Sequence, residues 1–159
     1  LLIWVSINST NCTDGVDGLS STLVLLALLS LAAFLYLIIG IDYIAEYLLL
    51  PFYPDSASWA IMTFVLVGTL AAYLWHNAHP STVLMGDAGS RALGGVIGVL
   101  VILSGNALAK VRIFHHIRFP LHDYFRHEKG WSNSQVLIRF ALIQILLIIV
   151  LFGLFIKVR

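Results

Sequence analysis

The sequence predicts an all-α fold, a polytopic transmembrane helix bundle, on three observations. Hydrophobic residues make up 60% of the 159-residue chain and charged residues only 11%, where soluble domains carry about 25% charged residues. Mean hydropathy is +0.95. Four apolar runs, 19–41, 59–75, 92–109 and 136–156, approach or exceed the roughly 20 residues that a hydrocarbon core about 30 Å thick requires. The formal net charge of +1 comes without a basic stripe, so no nucleic-acid partner is expected. Cys12, the single cysteine, excludes an intrachain disulfide, has no CxxC partner, and reads as a small buried residue.

Residues 1–7 are apolar but too short to cross. They read as the tail of a helix whose start is absent, so a fragment is expected. In the polar stretch 8–18, Asn8, Asn11, Asp14 and Asp17 recur every three residues, a spacing that places side chains on one helical face. The run 19–41 is uncharged. Segment 42–58 holds Asp42, Glu46 and Asp55 but no Lys or Arg, is broken by Pro51 and Pro54, and sets Tyr43, Tyr47, Phe52 and Tyr53 beside aliphatic residues, as an interfacial segment does. The run 59–75 has tryptophan at both ends, in the manner of an aromatic belt. In the third run Gly94, Gly95 and Gly98 permit close helix packing. The loop 110–135 then holds Lys110, Arg112, Arg118, Arg126 and Lys129, together with His115, His116, His122 and His127. The last run carries Arg139 within snorkelling reach of its start.

Loop charge exposes a conflict of parity. Lys and Arg concentrate on the cytoplasmic side, which puts 110–135 inside and 42–58 outside, yet counting crossings places both outside. One further span near 105–112 would reconcile them and would gather 8–18, 76–91 and 110–135 on one face. That span is expected to be missing from this sequence.

The chemistry concentrates where the chain turns. Asp87 lies in Met85-Gly86-Asp87-Ala88-Gly89-Ser90, among residues too small to shield it. A carboxylate at the mouth of a membrane helix is costly unless water, a cation or a ligand satisfies it. Mg²⁺ typically takes one or two carboxylates plus substrate phosphates. The plainer reading is that Asp87 caps the following helix, and that 8–18 is a hydrophilic loop with Asp17 near a helix start. His76 and His79 do not make a zinc pair, because Pro80 disfavours a helical His79 and no third soft ligand stands nearby. Asn77 precedes Asp87 by ten residues in the same connection.

Taken together, these segments resemble the C-terminal half of the phospho-N-acetylmuramoyl-pentapeptide transferase family, within the polyprenyl-phosphate N-acetylhexosamine-1-phosphate transferase superfamily. Asn8-Ser9-Thr10-Asn11-Cys12-Thr13-Asp14-Gly15-Val16-Asp17-Gly18-Leu19 is similar to its N-x-x-N-L-T-D-G-x-D-G-L, with Cys12 in place of leucine. Asn77-Ala78-His79-Pro80 resembles its N-x-x-P, and 85–90 its M-G-D-x-G-S. Pro120-Leu121-His122, Lys129-Gly130-Trp131 and 136–140 resemble its last cytoplasmic loop and last helix, and 44–48 its periplasmic turn.

The resemblance implies ten helices in a complete protein, with the fifth as a stub here, the ninth absent, and the upstream D-D-x-x-K motif outside this sequence. It implies Mg²⁺ on Asp87, with Asn77 as a nearby polar partner. Asp14 and His122 would join Asp87 in catalysis, and Asp17 and Asn8 would lie near the uracil. Asn11, Leu84, Ser90 and Asp123 would be further substrate-binding positions. His122 matches the first histidine of the family's H-H-H, and the sequence departs at Asp123 and Tyr124. The implied reaction moves phospho-MurNAc-pentapeptide from UDP-MurNAc-pentapeptide to undecaprenyl phosphate, giving lipid I and UMP, on the cytoplasmic face of the bacterial plasma membrane. A homodimer and inhibition by nucleoside antibiotics are implied as well. The alternatives are a sibling transferring N-acetylglucosamine-1-phosphate, a carboxylate-lined transporter, and a non-catalytic membrane scaffold.

Overall fold

A computed structural model of the protein describes residues 1–78, 80–104 and 131–157. Among these, every regular element is helical: α1 (Leu2–Cys12), α2 (Leu19–Ala33), α3 (Asp42–Tyr47), α4 (Ser56–Asn77), α5 (Gly86–Leu103) and α6 (Asn133–Lys157). Among the described residues, four helical segments are long and apolar enough to cross a membrane: Leu19–Ile38, Ser56–Asn77, Gly86–Leu103 and Asn133–Val150. The expected crossing near 105–112 falls outside the described residues, as do His79, His122, Asp123 and the cations of 110–129.

The helix α2 is the axis of the bundle. It continues as a wider π turn, Phe34–Ile38, closed by Ile39 N–H donating to the Phe34 carbonyl at 3.2 Å. The wider turn lets Phe34, Leu35, Ile38 and Ile39 all bury. They join Val24, Leu28 and Leu31 of α2, Ala60 and Leu70 of α4, and Leu100 of α5 in one apolar cluster. Outward faces stay apolar, with Ile61 and Val65 on α4 and Ile145 and Ile149 on α6 exposed, as lipid-facing surfaces do. At the far end, short α3 and its flanks expose Tyr43, Tyr47, Phe52 and Tyr53.

Helix direction follows from the contacts. Ile3, Ile7 and Asn11 of α1 meet Gly98, Gly94 and Ser90 of α5, so these two helices run antiparallel. A Cβ on Gly94 would stand 2.6 Å from the Ser6 carbonyl oxygen and one on Gly98 2.8 Å from Ile3 Cα. The stripe Ser90, Gly94, Gly98 therefore presses α5 onto the backbone of α1, as small residues do between membrane helices. Gly95 lies off that stripe, with Ile7 at an ordinary 3.9 Å.

Gln144 of α6 donates to the Leu23 carbonyl of α2 at 2.8 Å, and Leu137 lies against Gly18, so α6 runs parallel to α2. The starts of α2, α5 and α6 and the ends of α1 and α4 thus share one polar end. Ser104 closes α5 at the opposite end, while Trp131 precedes α6 at the polar end. Cys12 differs from its expected burial. It is exposed, because α1 ends there and turns into 13–18.

Candidate functional site

Three connections meet at the polar end: the turn 13–18, the loop 78–85, and the first turn of α5. The turn exists because α1 stops at Cys12 and Gly18 takes φ +74, a left-handed conformation open to glycine. Asp14 and Asp17 therefore project from a turn and not from the continuous helix that their spacing suggests.

Asn77, the last residue of α4 and 6% exposed, is the clasp between the loops. Its Oδ1 accepts the Gly18 N–H at 3.1 Å and the Ser21 hydroxyl at 2.8 Å. Its Nδ2 donates to the Val83 carbonyl at 2.9 Å. One amide thus fixes the acidic turn, the start of α2 and the approach to Asp87. Two further hydroxyls fasten the site. Ser81 donates to Asp17 Oδ1 at 3.0 Å and Ser90, fully buried, to Asn11 Oδ1 at 3.0 Å.

Removing the clasp leaves the buried Gly18 N–H and Ser21 hydroxyl without their acceptor, which costs about 1–3 kcal/mol. Asn77→Ala is accordingly expected to lower stability by about 2 kcal/mol, and Ser21→Ala by about 1 kcal/mol. Thermal unfolding in detergent checks this; equal midpoints for Asn77→Ala and wild type would contradict it.

Asp87 sits in the first turn of α5 behind an N-cap at Met85, where a negative charge complements the helix dipole. No side-chain hydrogen bond caps this helix at its N-cap residue, Met85. The Asp87 carboxylate is 74% exposed and pairs with Arg91 one helical turn on, Nη2 to Oδ2 at 3.4 Å. Burial, and secondarily the charge of Asp87, hold the Asp14 carboxyl above the usual carboxylate range. Asp14 thus senses Asp87 across the gap between turn and helix.

Asn8 is exposed and donates back to the Trp4 carbonyl of its own helix at 2.7 Å. Leu84 is 75% exposed beside Asp87. Asn11, Asp14, Asp17, Asn77, Leu84, Asp87 and Ser90 thus gather at one end, whereas Asn8 turns aside.

Among the described residues no group of three or more His, Cys, Asp or Glu could hold a metal. A Mg²⁺ ion needs fewer, since it keeps waters and takes substrate phosphates. An exposed carboxylate on a helix start with Asp14 facing it fits that ion as a partial donor set. No sequence signal marked Ser21, Ser81, or the groove of about 270 Å³ where Asn133 and Ser134 of α6 face Asp17 and Thr22. Arg91 stood four residues past Asp87 in plain view, the spacing of a helical ion pair.

Comparison with known proteins gives the same direction. Residues 1–105 match the family described as Glycosyl transferase family 4. The phospho-N-acetylmuramoyl-pentapeptide-transferase of Treponema pallidum is 52% identical over 184 aligned positions, covering 100% of this chain and 51% of the relative. Proteins of the same name from Helicobacter hepaticus and Campylobacter jejuni are 34% and 35% identical, each over 92% of this chain and 46% and 47% of the relative. The chain spans about half the length of the curated relatives it matches.

Proposed function

This chain belongs to glycosyl transferase family 4, and from that premise we propose that the protein carrying it is a membrane-embedded phosphoglycosyl transferase. The reaction we assign moves phospho-MurNAc-pentapeptide from UDP-MurNAc-pentapeptide to undecaprenyl phosphate, releasing UMP and forming lipid I. The observation that carries this reading is the convergence of Asp14, Asp17 and Asp87 on one end of an apolar helix bundle, fastened by Asn77 and three serines. The relatives' name, phospho-N-acetylmuramoyl-pentapeptide-transferase, supports the transferred group.

The chain's residues suit phosphoryl transfer, which rests on positioning and charge and asks little covalent chemistry of the protein. Asp87 would hold Mg²⁺, which when bound neutralises charge on the donor's diphosphate. Asp14, facing Asp87, shares the anionic field of the site. Asp17, held by Ser81, borders the polar groove and suits hydrogen bonding to the nucleotide's base. Lys and Arg of 110–129 and His122 would draw in the anionic substrates from the cytoplasmic side. An apolar groove of about 610 Å³ between α2 and α6, lined by Leu26, Leu29, Ala33, Ile145 and Phe152, suits the prenyl tail. A homodimer and inhibition by nucleoside antibiotics at the uridine site belong to the same proposal.

A transfer assay on the full-length protein in detergent tests it, with each UDP-sugar offered beside undecaprenyl phosphate. UMP release from UDP-MurNAc-pentapeptide is expected. Release only from UDP-N-acetylglucosamine would move the protein to the sibling activity. No release from either, with the protein folded, would overturn the reading.

A further inference from the structure

Arg91 has no part in the roles assigned so far, yet among the described residues it is a charged group in direct contact with Asp87. Its guanidinium lies 3.4 Å from Oδ2, and the two side chains are 58% and 74% exposed. Both stand on the first two turns of α5, whose backbone is held in place by the Gly94 and Gly98 contacts with α1 and by the Ser90–Asn11 bond. The pair is thus a flexible, solvent-facing cation on a rigid helix start, beside a carboxylate suited to a divalent ion.

Two physical consequences follow from that contact. First, a guanidinium on Asp87 competes with any cation for the same oxygen. An exposed pair at this spacing is worth only about 0.5 kcal/mol, or about twofold, so a divalent ion can displace it, and its repulsion of the ion adds to the competition. Second, a guanidinium released there stays tethered within a turn of Asp87. It carries donors in a fork that matches phosphate oxygens.

We propose that Arg91 is the resident counter-ion of Asp87 in the metal-free protein, and that on metal binding its guanidinium passes to a phosphate oxygen of the donor. This rests on the reading of Asp87 as the metal carboxylate. Arg91 then has opposite effects on the two ligands: it weakens metal binding and strengthens diphosphate binding. A residue that only braces the helix would have neither effect.

The test measures Mn²⁺ binding by calorimetry and by electron paramagnetic resonance on the full-length protein, and then UDP binding at saturating Mn²⁺. Arg91→Gln is expected to bind Mn²⁺ about threefold or more tighter, from loss of competition and repulsion, and UDP about tenfold more weakly, from loss of a charge-assisted contact. Arg91→Lys should keep wild-type Mn²⁺ affinity while losing part of the UDP affinity, since it retains charge without the fork. Unchanged affinity for either ligand in Arg91→Gln overturns the inference alone, provided Asp87→Asn abolishes Mn²⁺ binding. Mn²⁺ binding that is absent in the wild type, or that persists in Asp87→Asn, removes the metal reading of Asp87 and this inference together.

Discussion

Asp87→Asn is expected to reduce UMP release by about a hundred- to a thousandfold while leaving the helix bundle intact. The magnitude follows from removing charge where charge must be met during phosphoryl transfer, since deleting a single stabilising group at such a site costs about 10²–10³ in rate. The stability expectation follows from the surroundings of Asp87: its side chain is mostly exposed, and its Arg91 pair is of the exposed kind that contributes little. The substitution is isosteric and keeps the helix start. A second readout sharpens the result. The charge on Asp87 helps hold Asp14 above the usual carboxylate range, so removing it lets Asp14 lose its proton at lower pH. The acid side of the residual pH–rate profile is then expected to move toward lower pH. Rate against pH for the two proteins, with circular dichroism as the control for folding, checks both. Activity within tenfold of wild type would leave Asp87 as a helix-start residue and nothing more.

Gly94→Leu is expected to be the most disruptive substitution outside the acidic residues. A Cβ at this position would meet the Ser6 carbonyl oxygen at 2.6 Å and Ile7 Cα at 2.7 Å. Both are backbone atoms of α1, so no rotamer change relieves the contact and the helices must part. Overpacking of this kind costs about 1–3 kcal/mol, and the upper end, about 3 kcal/mol, is expected for backbone against backbone. Separation also breaks the Ser90–Asn11 hydrogen bond, which lies one turn away on the same stripe. Transfer activity should fall with stability. Gly95→Ala is the matched control: its nearest neighbour is Ile7 at 3.9 Å, and alanine favours a helix over glycine by about 0.8–1.0 kcal/mol. Thermal unfolding of the two variants side by side should show a large loss and a small change or gain. Similar losses in both would mean that the stripe does not set the helix separation.

The membrane helices were legible because a period-free apolar run of that length has few other fates. Their ends were less so. The third run was expected to begin near 92, but α5 already starts at Gly86, because Gly86, Asp87, Ala88 and Gly89 carry no continuous apolar signal and only Ser90 of this stretch is buried. The glycine stripe was legible in part: Gly94 and Gly98 meet α1, whereas Gly95 faces a more open position. The regular spacing of Asn8, Asn11, Asp14 and Asp17 suggested one helical face. It breaks at Cys12, where α1 stops, so Asn8 and Asp17 leave from different kinds of backbone. The clasp was out of reach. Nothing local marks Ser21 or Ser81, whose partners lie far along the chain, and a serine hydroxyl in an apolar helix more often bonds its own preceding turn, as Thr63 does with Trp59.

Those cross-connections bear on the order in which the protein becomes itself. Asn77 reaches back 56 and 59 residues to Ser21 and Gly18, Ser81 reaches 64 to Asp17, and Ser90 reaches 79 to Asn11. None can form until α4 or α5 has been synthesised and seated, long after α1 and α2 have formed their own local hydrogen bonds. Helix content is therefore an early and insensitive measure of maturation, and the acidic turn is set later than the helices that flank it. A chain halted after α2 would already hold its acidic residues but not their arrangement.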